Sequence, residues 1–268
     1  MLKLLIIDNN VPEKILTSEI SEQFEEKVSG YKRVLTPYIL AEACHGLTTS
    51  GKEEYFLRDQ SKIRLLGGNS GYEAITFPFN YAVKQVCGVV TDRELPIDNV
   101  RVNEWYKIAI SATSLAQITR GEVPYTIAGQ AKRDGIKSEV IQKVLALEKS
   151  TFQKMHHASR DEIPVPPIAE WISALASNAS IKLSNDNVEK LVDAMSLSYA
   201  LFSHYMKPTG KLRADGAWAD YQYLMYLCDP NVFFLTGDKN IKKDCLASNY
   251  PQSNNTLGQI LELDTFIR

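Results

Sequence analysis

The sequence predicts an α/β fold: a parallel sheet contributed by both chain ends, interrupted by a helical insertion. Three observations predict it. The chain opens on an apolar run at residues 2–7 that closes on Asp8. The first 47 residues then alternate strand, helix, strand, helix, the pattern of a parallel sheet. Near the other end, NVFFLT at 231–236 is a second uninterrupted apolar run leading into Asp238. Runs without polar alternation mark strands covered on both faces, as in parallel sheets.

The elements follow in order. After the first strand, Val11–Lys27 is charged and amphipathic and is expected to form one helix. Tyr31–Leu35 is a second strand. Thr36 and Pro37 then supply an N-cap and a proline at the first helical position, opening a helix through YILAEACHGL. Residues 50–90 are mixed, with GGNSG at 67–71 marking a turn. Helical periodicity dominates 99–158, stops at PVPP (164–167) and resumes in IAEWISALA. A long helix is expected over SNDNVEKLVDAMSLSYALFSHYM, capped by Asp186 with Glu189 three residues on. ADYQYLMYLC is a helix, NVFFLT a buried strand, and Gln259–Ile267 a last short strand. The division is therefore residues 1–50 with 207–268 as the α/β core, and 51–206 as a largely helical insertion that completes or caps it.

Bulk properties narrow the function classes. With 268 residues and 44% hydrophobic content, the chain has material for one large core or two modest ones. The net charge of -2 gives no global attraction to polyanions, so a nucleic-acid partner requires a local basic patch. Cys44, Cys87, Cys228 and Cys245 form no close pair, which argues against thiolate metal ligation and for reduced thiols. No apolar stretch reaches the roughly 18 residues of a membrane span. A soluble, cytoplasmic setting without a membrane partner is expected.

The chemistry lies in the acids. Asp8 and Asp238 each finish an apolar run, and open parallel sheets carry their sites at the carboxyl ends of strands. Glu42 sits at helical spacing from Ile39 and Gly46, on the face expected to pack on the sheet. Asp220 is followed by Tyr223, Leu224 and Leu227 at i+3, i+4 and i+7. An acid inside an apolar stripe is costly to bury unless paired or coordinated. All-oxygen ligation selects Mg²⁺ or Mn²⁺ over zinc. Each acid also has a plainer reading. Asp8 could initiate a turn or cap a helix, Asp238 could be a turn acid, Glu42 could pair with a neighbouring cation, and Asp215 could cap the helix carrying Asp220.

Taken together, LLIIDNN with Asp8, TPYILAEA with Glu42, DYQYLMYL with Asp220 and FFLTGDK with Thr236 and Asp238 resemble the PIN-domain nucleases. The eighteen-residue step from Asp220 to Asp238 is similar to that family's helix-plus-strand spacing. The resemblance covers residues 1–47 and 211–245, and the interval from Glu42 to Asp220 is unusually long for it. Asp215 and Asp193 are alternatives for the third acid, Asp193 being disfavoured by its distance from Asp238. The resemblance implies a three-layer α/β/α sandwich with a central, mostly parallel sheet. It implies metal-dependent phosphodiester hydrolysis, as in an endoribonuclease of toxin or phage-defence type. Asp8, Glu42, Asp220 and Asp238 are then the catalytic acids, and with Asp215 the ligands of Mg²⁺ or Mn²⁺. Thr236 and Asn10 tune the site by hydrogen bonds, and metal-activated water attacks. RNA is the implied substrate, with single-stranded DNA as an alternative. An antitoxin or regulatory protein and a second copy of the chain are the implied protein partners.

Two basic groups are candidates for holding phosphates. One is Lys132, Arg133, Lys137, Lys143, Lys149, Lys154 and Arg160. The other, bracketing the acids in sequence, is Lys207, Lys211, Arg213, Lys239, Lys242 and Lys243. His156 and His157 are adjacent and diverge by about 100° on a helix, so they do not share a ligand. His45 is expected to pack, and GGNSG lacks the Lys-Ser/Thr of a phosphate loop. Two other readings stand beside the nuclease: a catalytically inactive PIN-fold RNA-binding or regulatory protein, and a metal-dependent phosphohydrolase of small nucleotides.

Overall fold

A computed structural model describes residues 2–40, 42–43, 52–68, 71–89, 99–114, 116–117, 165–206, 217–248 and 254–268. At its centre is a five-stranded sheet in the order β3-β2-β1-β4-β5. The strands are β1 (Lys3–Ile7), β2 (Tyr31–Leu35), β3 (Tyr72–Ala74), β4 (Val232–Thr236) and β5 (Ile260–Glu262). Every pairing is parallel. β1 lies between β2 and β4, with Ile6 beside Val34 on one side and Ile7 beside Leu235 on the other. That central place explains its composition: Leu5, Ile6 and Ile7 alternate between two faces, and all three are buried.

The helices form two sets, as an α/β/α sandwich requires. α1 (Asn10–Thr17), α4 (Glu53–Gly67) and α6 (Asn99–Ser111) pack in series, α4 also meeting β2 and α6 meeting β3. The second set comprises α5 (Pro78–Cys87), α7 (Ile168–Asn178), α8 (Asn185–Ala194), α9 (Ser196–Met206), α10 (Ala217–Tyr223) and α11 (Asn240–Ala247). It reaches the sheet through a 3-10 turn, Leu224–Cys228, against β4. The segment read as an insertion thus contributes an edge strand, β3, and helices to both sets.

Several local expectations change. Val11–Lys27 is two helices, α1 and α2 (Ser21–Val28), because the chain reverses at Glu19 in the left-handed region (φ 56°). The long helix over 184–206 is likewise two, α8 and α9, divided at the fully buried Met195. Its cap is Ser184, whose hydroxyl accepts from the Asn187 amide at 3.3 Å, not the Asp186 and Glu189 pair. Asp186 instead lies in the first turn, where its charge suits the helix dipole. The helix over ADYQYLMYLC tightens into the 3-10 turn after Tyr223. The final strand stops at Glu262, because its partner β4 ends at Thr236, the residue paired with Glu262; α12 (Leu263–Phe266) follows.

One expected cap is present. The Ile39 amide donates to Thr36 Oγ1 at 3.2 Å, opening α3, whose described residues are 37–40 and 42–43. Elsewhere, the buried Arg33 of β2 pairs with Glu25 of α2 and donates to the Leu65 carbonyl, which satisfies a charge that burial would otherwise penalise. Gly68 (φ 67°) closes α4 against that guanidinium, and an added Cβ would lie 2.6 Å from Arg33 Cζ.

The strand order locates the site. From β1 the chain moves outward to β2 and β3, then crosses to the other side of β1 to place β4 and β5. The direction reverses between β1 and β4, so a crevice opens at their carboxyl ends. Asp8 follows β1 and Asp238 follows β4 at that point.

Candidate active site

Asp8 is the most enclosed of the four candidate acids, at 6% exposure. Its amide donates to the Leu235 carbonyl, which continues the β1–β4 ladder one residue beyond Ile7. Its Oδ2 accepts from Thr236 Oγ1 at 2.7 Å and from Asn10 Nδ2 at 2.5 Å. The side chain therefore faces β4 and the start of α1. Burial pushes its carboxyl up to about 6, and the Glu42 charge adds to this, while the Thr236 and Asn10 donors oppose it.

Thr236 joins the two strand ends. Its hydroxyl donates to Asp8 and accepts from the Asp238 amide at 3.0 Å. Asn10 makes a second link: it donates to Asp8 and accepts from the Gly237 amide at 2.7 Å. Lys14, one turn along α1, donates to the Gly237 carbonyl at 2.5 Å. Asp238 Oδ1 accepts from both the amide and the side chain of Asn240, at 2.8 and 3.0 Å, so this acid also shapes the turn into α11.

Glu42 is exposed, where the apolar stripe predicted a sheet-facing, buried position. Its carboxylate is nevertheless held. Oε2 accepts from Asn9 Nδ2 at 2.9 Å and from the Tyr223 hydroxyl at 3.0 Å. Asn9 also donates to the Ile39 carbonyl, which fastens the β1–α1 turn to α3. The orientation of Glu42 comes from its partners, not from burial.

Asp220 lies on α10, half-buried, and its Oδ2 accepts from the Tyr205 hydroxyl at 3.1 Å. Tyr223, Leu224 and Leu227 are buried at the spacing the sequence suggested. The Asp220 carboxyl is raised well above its ordinary range, first by burial and then by the negative charges of Asp8, Asp238 and Glu42. Asp220 thus feels the other three acids, and Asp8 feels Glu42. Among the described residues, no Lys, Arg or His forms an ion pair with any of them.

A group of carboxylate oxygens has the donor chemistry of a Mg²⁺ or Mn²⁺ site. Asp8, Glu42, Asp220 and Asp238 fit such an ion by chemistry. Among the described residues, however, no group of three or more His, Cys, Asp or Glu side chains is already arranged to hold one.

Asn9, Tyr205, Tyr223 and Lys14 are the site residues that sequence reasoning missed. Asn9 stands beside Asp8 in a polar doublet, and that was the available signal. The two tyrosines read as core, and their rings are indeed buried. Asp193 is exposed on α8. Lys239 pairs with Asp264 at 2.5 Å, both side chains being exposed. Asp215, His45, His156, His157, the first basic group, and Lys207, Lys211 and Arg213 lie outside the described residues.

Comparison with protein-family models, with curated proteins and with solved structures finds no match for this chain. No helix among the described residues is long and apolar enough to cross a membrane.

Proposed function

We propose that this chain is a PIN-like nuclease that hydrolyses phosphodiester bonds, preferentially in RNA, with Mg²⁺ or Mn²⁺. The observation that carries the reading is that Asp220 feels the charges of Asp8, Asp238 and Glu42 beside the β1–β4 switch point, with no ion pair to any of the four among the described residues. Like charges gathered at a switch point are costly, and a divalent cation offsets that cost. A bound ion would supply an activated water and neutralise charge on an in-line displacement.

The chain's own residues do the remaining work. Thr236 and Asn10 favour the ionised form of Asp8 against its burial. Asn9 and Tyr223 orient Glu42, and Tyr205 orients Asp220. The parallel sheet and the order of acid-bearing elements are those the PIN resemblance implies, and this supports it. An antitoxin-type or regulatory partner, self-association and a role in toxin or phage-defence systems extend the same reading.

The test is cleavage of labelled RNA and single-stranded DNA with Mn²⁺ and with chelator. Cleavage that needs the metal and falls at least ~100-fold in Asp8→Asn and Asp238→Asn supports the proposal; loss of a ligand should exceed the 10–100-fold effect of losing a supporting group. Chelator-resistant cleavage, or full activity in both variants, would overturn it. Metal-independent RNA binding without turnover would favour a binding or regulatory protein. Turnover of free nucleotides alone would favour a small-nucleotide phosphohydrolase.

A further inference from the structure

We propose that Tyr223 and Tyr205 are positioning residues that hold the two helix-borne acids, Glu42 and Asp220, in place for a divalent cation. This rests on the metal-dependent reading above and deepens it. Both strand-end acids are oriented by the sheet and its turns. The helix-borne acids are not. Glu42 projects from an exposed position on α3, and Asp220 from a short helix of seven residues. Each needs an external partner to fix its carboxylate.

The two phenols supply that partner. Tyr223 donates to Glu42 Oε2 at 3.0 Å and Tyr205 to Asp220 Oδ2 at 3.1 Å. Tyr223 lies three residues after Asp220 on α10, so one helix face carries an acid of the cluster and the tie to another. The tie spans 181 residues of sequence and links α10 to α3. Asn9 donates to the same Glu42 oxygen, which brings the β1–α1 turn into the arrangement.

The chemistry of the donor matters. A phenol gives one hydrogen and carries no charge. It therefore engages one oxygen of each carboxylate without neutralising it, whereas a lysine or arginine in its place would compete with a metal ion. Rigid, buried rings with one polar tip hold that hydrogen in a fixed place: Tyr223 is 1% and Tyr205 is 3% exposed. Tyr226, one turn beyond Tyr223, shows the contrast. It is equally buried, but its hydroxyl donates to the Thr76 carbonyl at 2.7 Å and touches none of the acids.

The experiment titrates the protein with Mn²⁺ and follows the loss of the free-ion electron paramagnetic resonance signal. It compares wild type with Tyr223→Phe, Tyr205→Phe and, as control, Tyr226→Phe. Each change keeps the ring and removes only the hydroxyl, and metal-free melting reports any purely structural loss. Tyr223→Phe and Tyr205→Phe are expected to weaken Mn²⁺ binding by about 10–100-fold, the usual effect of losing a ligand's hydrogen-bond partner. Tyr226→Phe should lower melting temperature yet leave Mn²⁺ affinity unchanged. Wild-type affinity in both Tyr223→Phe and Tyr205→Phe, or an equal loss in Tyr226→Phe, would overturn the inference while leaving the nuclease reading standing. A wild type that binds no Mn²⁺ would overturn both. If one of the two variants fails to fold, the other decides.

Discussion

The Thr236 hydroxyl donates to Asp8 Oδ2 at 2.7 Å, joining the ends of two adjacent parallel strands across 228 residues of chain. The same hydroxyl accepts the Asp238 amide, so one oxygen atom sets the relation between the two strand-end acids. Removing it in Thr236→Val leaves Asp8 with less support for its ionised form. The Asp8 carboxyl should then titrate above its present value of about 6. Carboxyl-carbon NMR of Asp8 checks this directly, and an unmoved titration would contradict it. The variant should also lose about 1–2 kcal/mol of stability for the broken bonds.

Metal-free stability should fall as pH rises from about 4 to 6. Asp8 binds its proton more tightly when folded, at about 6, than at its ordinary value of 3.8. Between those values the native state holds more protons, so raising the pH withdraws stability. The window is worth up to roughly 3 kcal/mol at ~1.4 kcal/mol per pH unit. In Asp8→Asn that slope should flatten, and stability at pH 7 without metal should rise by about 1–3 kcal/mol. Urea melts at several pH values, with chelator present, decide it; equal slopes in the two proteins would be a failure.

Added Mn²⁺ should stabilise the fold. At a free concentration 100 times the dissociation constant the gain is about 2.7 kcal/mol. Differential scanning calorimetry reads it as a rise in melting temperature that vanishes in Asp238→Asn. An unchanged melting temperature in wild type would count against a site present in the native state.

Gly237→Ala tests the link between the β4 turn and α1. An added Cβ would lie 2.8 Å from Asn10 Oδ1 and 2.9 Å from Lys14 Nζ. Both are ends of side chains that can move, so the stability cost should stay near 1 kcal/mol. Moving Asn10 forfeits its bonds to Asp8 and the Gly237 amide, and cleavage should fall more than stability does. Parallel measurement of activity and urea midpoint separates the two.

Asp193→Asn should leave cleavage intact, because Asp193 faces solvent on α8. Asp220→Asn should cost the most among Asp193, Asp215 and Asp220, since Asp220 feels all three other acids. A larger loss in Asp215→Asn would move the third corner of the site.

Part of this site was legible in the chain. Asp8 and Asp238 announced themselves by closing apolar runs, and Thr36 and Pro37 announced the start of α3, because strand ends and caps are local features. Glu42 was legible as an acid at the right helix but not as an exposed one. Tyr205 and Tyr223 were hidden, since an aromatic on an apolar stripe reads as core whatever its hydroxyl meets. The breaks at Glu19 and Met195 were hidden too: periodicity continues through both, and only packing against other elements turns the chain there.

What the sequence determined by itself is the set of short-range facts: that the runs at 2–7, 31–35 and 231–236 are strands, which acids follow the first and last of them, and that Thr36 opens α3. Side-chain alternation and backbone hydrogen bonding are decided within a few residues, so these survive without tertiary context. The tertiary structure decided the rest. It put β4 beside β1, recruited Tyr72–Ala74 as the sheet edge, and brought two phenols onto two acids. Those pairings join residues up to 228 positions apart. They follow from strand register and helix crossing, which depend on the whole core and on no single segment.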